Sequence, residues 1–148
     1  MTRSGHRRAG VIFAVAALFL LQAHAAVAAC GAAGIVAGSN APDWIEKPLL
    51  LVHRTWTHWP GWWAGLLAAG LALLPLTPTG AAVAGFGAGG LLHLVLDICT
   101  PTGIPLRWPP AGRIRVSLPL YRTGDPVGEA MALLVVAAVC AALCALHF

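Results

Sequence analysis

A chain of 148 residues that is 59% hydrophobic and 9% charged, with a mean hydropathy of +0.81, lies well outside the composition of soluble domains. So few charges exclude a soluble or disordered chain, and a single membrane-embedded domain, 1–148, is expected. Nine Lys and Arg against five Asp and Glu give +4. The arginines flank apolar runs rather than forming a basic groove with interleaved aromatics. No direct nucleic-acid binding is expected, and the charge is read as a report of membrane orientation.

Four regions suit the roughly 30 Å hydrocarbon core of a bilayer: 9–38, 61–76, 81–98 and 127–146. The first follows Arg3, Arg7 and Arg8 and admits three readings. It resembles a secretory signal, with Val27-Ala28-Ala29-Cys30 similar to a lipobox. As one helix it would be about 45 Å long and overshoot the core. Broken near Gln22, it becomes two short antiparallel helices, 6–22 and 26–38. Every basic residue lies in the N-terminus, in the 39–60 connection (Lys47, Arg54) or in the 99–126 connection (Arg107, Arg113, Arg115, Arg122). Only the broken form puts all nine on one side, as the positive-inside rule asks. The second and third regions are joined by Leu76-Thr77-Pro78-Thr79-Gly80, a break that makes them a helical hairpin. The expected fold is therefore all-α: a polytopic membrane helical bundle of about five hydrophobic segments, the first two a short hairpin, with the N-terminus and both polar connections cytoplasmic.

Ionisable groups beside membrane spans are costly, and each is a functional candidate. His6, Asp43, Glu46, His53, His58, His93, Asp97, Asp125 and Glu129 all fall at the cytoplasmic ends of these segments. His93 and Asp97 stand i, i+4 in an otherwise apolar run, on one helix face. That spacing suits a metal or an acid/base pair, and equally a hydrogen bond within the helix. His53 and His58 diverge by about 140° on a helix, but both can face one centre if the segment is extended or turned. Imidazole with carboxylate is the ligand set of zinc, manganese and iron sites. Trp44, Trp56, Trp59, Trp62, Trp63 and Trp108 flank the connections and read as an interfacial belt. The many glycines permit close helix packing. Cys30, Cys99, Cys140 and Cys144 have no metal-site spacing and are assigned no chemistry.

His53-Arg54-Thr55-Trp56-Thr57-His58 resembles an HRxxTH signature, and His93 to Pro109 resembles HxxxDxxTxxGxPxxWP. Both are similar to blocks of the YdjM family, inner-membrane-associated, LexA-binding proteins assigned as metal-dependent hydrolases. The resemblance runs from Gly5-His6 through Pro42-Asp43 to Gly124 and Glu129. It implies a multi-pass protein of the bacterial inner membrane with a divalent metal, zinc above others, held by His6, Asp43, His53, His58, His93, Asp97 and Glu129. Where many members read PDxDH, this chain has Pro42-Asp43-Trp44-Ile45-Glu46, and Glu46 stands in for the second Asp with a longer reach. The order of these groups is remotely similar to that of zinc-dependent phospholipase C. The resemblance implies a hydrolase with Asp43, Glu46 and Arg54 as catalytic residues, Arg54 holding an anionic head group. Membrane lipids and a cytoplasmic protein are the expected partners. The alternative expectation is a non-catalytic scaffold whose His/Asp cluster is structural.

Overall fold

The structure, a computed structural model, describes residues 1–21, 23–46, 54–107 and 115–147. In chain order these form α1 (Arg3–Leu21), α2 (Ala25–Gly38), α3 (Ala41–Glu46), a single 3-10 turn (Trp56–His58), α4 (Pro60–Leu73), α5 (Pro78–Ile98), β1 (Ile104–Pro105), β2 (Arg115–Val116) and α6 (Pro126–His147). Pro60, Pro78 and Pro126 each open a helix, a position where the missing N–H leaves no bond unmade. Among the described residues α5 and α6 are long and apolar enough to cross a membrane, while α2 and α4 are shorter apolar helices. Val127, Leu134, Val135, Val139 and Leu146 of α6 face outward, as a lipid-facing helix requires. Most of α5, by contrast, is inside the molecule.

Glycines place α5 at the centre. A Cβ at Gly85 would meet the Gly31 carbonyl, and one at Gly89 the Ile35 carbonyl, so this face of α5 lies backbone to backbone on α2. Gly87 and Gly90 turn toward α4, against the Leu67 backbone and the Trp63 indole. In lipid, where burial of apolar surface does not drive helices together, such close approach is a main source of association. Gly89→Leu is expected to wedge α2 from α5 and destabilise the fold by about 1–3 kcal/mol. Gly65→Leu, where a Cβ meets nothing within 4 Å, is expected to be tolerated. Thermal unfolding of the two variants in one detergent checks the contrast.

The same packing gathers helix ends. A Cβ at Gly10, two turns into α1, would collide with Ser39, just past the end of α2. The α5 end is covered by the 115–121 segment, through Leu118 N to the Ile98 carbonyl at 2.7 Å and the Tyr121 hydroxyl to the Leu96 carbonyl at 2.9 Å. Gly103, at φ 58°, allows the turn into β1, because a Cβ there would strike the Val116 carbonyl paired across the ribbon. One expectation is corrected here: Trp63 does not join the interfacial belt. Its ring lies 5.5 Å from that of Phe86 and over Gly90, and its Nε1 donates to the Thr57 carbonyl at 2.7 Å. Trp44 and Trp62 remain exposed, and Trp108 lies outside the described residues.

Candidate metal centre

Each functional side chain comes from a helix end or the turn beside it. On α3, Asp43 and Glu46 share a face at i, i+3 and bracket the His58 imidazole. Glu46 Oε1 is 2.9 Å from His58 Nδ1, and Asp43 Oδ1 is 3.6 Å from His58 Nε2. Because a carboxylate only accepts, His58 carries its proton on Nδ1, which turns Nε2 inward. His93 is held in the same way, since its Nδ1 donates to the Ser39 carbonyl at 2.8 Å. Its Nε2 therefore also points at the centre.

The inward atoms converge. His58 Nε2 and His93 Nε2 are 3.2 Å apart. Asp97 Oδ2 lies 3.4 Å from the first and 3.5 Å from the second, and Asp43 Oδ1 lies 3.7 Å from His93 Nε2. Four ligands at about 2.05 Å around a tetrahedral ion stand about 3.3 Å from one another. The ligand atoms of His58, His93 and Asp97, within 3.2–3.5 Å of one another, with Asp43 Oδ1 beside both imidazoles, could thus hold a metal ion. His6 is stacked on His93, with ring centroids 3.6 Å apart. It is wholly buried, and neither ring nitrogen has a hydrogen bond among the described residues; Nε2 is 3.4 Å from Asp97 Oδ1. An imidazole buried with neither nitrogen hydrogen-bonded is costly, and coordination would satisfy it. Among the described residues, two three-residue groups have ligand atoms within 4.8 Å of one another: His6, Asp43 and His93, and His58, His93 and Asp97.

The other predicted residues are placed differently. Glu46 stands behind His58 and also accepts from the Arg54 backbone N–H at 2.8 Å and from Thr57 Oγ1 at 2.6 Å. Arg54 is buried rather than open to an anion: its guanidinium bonds Asp97 Oδ1 at 2.8 Å and Thr100 Oγ1 at 2.7 Å. Its φ of 59° is a conformation that a non-glycine residue holds only when its surroundings fix it. Glu129 lies outside both ligand groups and accepts from Thr2 N at 2.6 Å, Thr2 Oγ1 at 2.6 Å and Gly124 N at 3.0 Å. His53 lies outside the described residues. Thr57, Thr100 and Ser39, which support the ligands, were not singled out from sequence. Thr57 and Thr100 sit at fixed positions of the two motifs, and that was the signal available.

Burial pulls the His58 pKa down, but its contacts with Asp43, Asp97 and Glu46 outweigh this and raise it to about 10. Burial raises Asp43, and the neighbouring histidines more than reverse that, leaving its carboxyl below the ordinary value. In metal-free protein the proton held by His58 therefore stabilises the fold fully below its unfolded value near 6.5, and this contribution is lost as pH rises through about 10. A cation must displace the Nε2 proton of that imidazolium, while Nδ1 keeps the proton it donates to Glu46. Apparent metal affinity is expected to rise with pH across the same window, read by titration with a metal indicator. Glu46→Gln weakens the hold on His58 Nδ1 and is expected to cost about 10–100-fold in metal affinity while leaving the ligands in place.

No curated protein and no solved structure matches the chain. The match to the YdjM inner membrane protein family covers residues 1–148. The buried His/Asp cluster is thus a feature of a chain that belongs to the YdjM inner membrane protein family.

Proposed function

We propose that this protein is a metal-dependent hydrolase whose centre opens at the cytoplasmic face of the inner membrane. The observation that carries the reading is the convergence of His58 Nε2 and His93 Nε2, 3.2 Å apart, with Asp43 Oδ1 and Asp97 Oδ2. These four groups would hold the ion, with zinc the best fit to two imidazoles and carboxylate oxygen, and His6 is poised as a further ligand. Held by these residues, such an ion would supply Lewis acidity at a scissile bond and would lower the pKa of a bound water.

The chain's own groups do the rest. Glu46 and the Ser39 carbonyl fix the two imidazoles in the tautomer that binds. Arg54 neutralises Asp97 Oδ1 and orients that carboxylate. Asp43, at 11% exposure against 0–1% for His6, His58, His93 and Asp97, is the cluster's route to solvent, and its carboxylate is the base that accepts a proton from incoming water. On this proposal the chain forms five membrane segments, the first two folded back on each other, which would bring these groups to one membrane face. A reporter fused after Phe148 is then expected to be periplasmic.

Phosphodiester hydrolysis by zinc-loaded protein in phospholipid vesicles tests the reading. Turnover is expected to disappear on chelation, return on zinc addition, and be absent in His58→Ala. Metal-loaded wild-type protein that hydrolyses neither phospholipid nor soluble phosphodiesters would point instead to a structural cluster in a membrane scaffold.

A further inference from the structure

Away from the cluster, toward the α1–α2 and α4–α5 connections, four helices surround a cavity of about 420 Å³. Phe13 and Leu20 of α1, Val27 and Ile35 of α2, Leu71 of α4 and Ala88 of α5 are among its walls. Every wall residue is Ala, Gly, Val, Leu, Ile or Phe, so no wall side chain can hydrogen-bond a polar ligand. Such a space favours hydrocarbon over water, and its volume is within the range of about 300–1,000 Å³ usual for ligand sites.

Its near end adjoins the cluster through the backbone. Ile35 lies one helical turn before Ser39, whose carbonyl holds His93, and Ala88 precedes His93 by five residues, about 7.5 Å of helix. From Ala81 to Ala88 the wall follows α5 for about 10 Å, leading away from the cluster. The shape also limits the occupant. A helix about 10 Å across would fill this volume with roughly one turn, so a partner helix does not fit, whereas a single alkyl chain does.

We propose that this cavity is the slot for one hydrocarbon tail of a membrane lipid whose polar head reaches the His/Asp cluster. The proposal rests on the hydrolase reading and names its substrate class: a lipid ester rather than a water-soluble one. The apolar walls select the tail, and the small side chains of Ala28, Ala32 and Ala88 leave it room.

Full-length protein is reconstituted in vesicles of phosphatidylethanolamine and phosphatidylglycerol, the latter doped with phosphatidylglycerol bearing a diazirine at the end of one acyl chain. Adducts formed on illumination are mapped by mass spectrometry. Adducts are expected at Phe13 and the buried Ile35, besides those at Leu134 and Val139 on the outward face of α6. Ala28→Phe and Ala88→Phe, on different helices, each fill the slot. Each is expected to reduce the cavity adducts about tenfold, the effect of excluding about two buried methylene groups, with α6 adducts and metal content unchanged. Two positions keep the result independent of a folding defect in either one. Cavity residues left unlabelled in wild type, or labelled at the wild-type level in both metal-binding filled variants, would overturn the slot. If cavity adducts behave as expected while wild type shows no turnover, the slot stands and the hydrolase reading falls.

Discussion

His93→Ala protein is expected to bind divalent metal more than about 100-fold more weakly than wild type, since losing even a hydrogen-bond partner behind a ligand costs about 10–100-fold. His93 concentrates three roles. Its Nε2 faces His58, Asp43 and Asp97 within 3.2–3.7 Å, its Nδ1 holds the Ser39 carbonyl at the end of α2, and its ring stacks on His6. The substitution therefore removes a ligand, leaves a buried carbonyl unpaired and takes away the support of a second imidazole. Equilibrium dialysis against zinc reads the first effect and thermal unfolding in detergent the others. A variant that loses stability while keeping wild-type zinc affinity would remove His93 from the ligand set.

The second large effect concerns Arg54 and Asp97. The pair is almost wholly buried, with an N–O distance of 2.8 Å, and breaking such a pair from one side costs up to about 3–5 kcal/mol, less where, as for Asp97 Oδ1, the Met1 ammonium at 3.2 Å also compensates the charge. Arg54→Met and Asp97→Leu are each expected to destabilise the metal-free protein by this order. The double variant is expected to recover much of the loss, since replacing both charges by apolar groups is often close to neutral. A double-mutant cycle by thermal unfolding under chelation reads the coupling. Simple additivity of the two losses would mean that the pair does not act as a unit. With metal present the two variants are expected to differ, because Asp97 also presents Oδ2 to the imidazoles whereas the Arg54 guanidinium bonds Asp97 Oδ1 and Thr100 Oγ1.

The sequence made some of this legible, for identifiable reasons. Apolar run lengths and Pro/Gly breaks place the helices, since local composition decides them in a nonpolar solvent. His93 and Asp97 are readable as neighbours because helical period alone sets their geometry. Asp43 and His58 meet only through the packing of α3 against the 3-10 turn, which no spacing encodes; the family motifs supplied that pairing. Glu46 shows the limit. It read as a substitute ligand because it occupies the place of a ligating residue, yet the turn of α3 aims it at Nδ1 of His58 rather than into the centre. Arg54 read as an anion-binding group because a cation beside a candidate ligand is usually available. The positive φ that folds it back onto Asp97 leaves no trace in composition. Trp63 read as an interfacial anchor, and the absence of a side chain at Gly90 was the overlooked sign that a large ring is received there.

The most direct test of the central claim is X-ray absorption, with metal quantification, on purified protein loaded with zinc and washed free of excess. At least about one ion per chain is predicted, in a shell of nitrogen and oxygen at about 2.0–2.2 Å with imidazole scattering behind it, and simultaneous replacement of His58 and His93 should abolish it. Failure to retain zinc after loading, or a content unchanged in the double variant, would contradict the account.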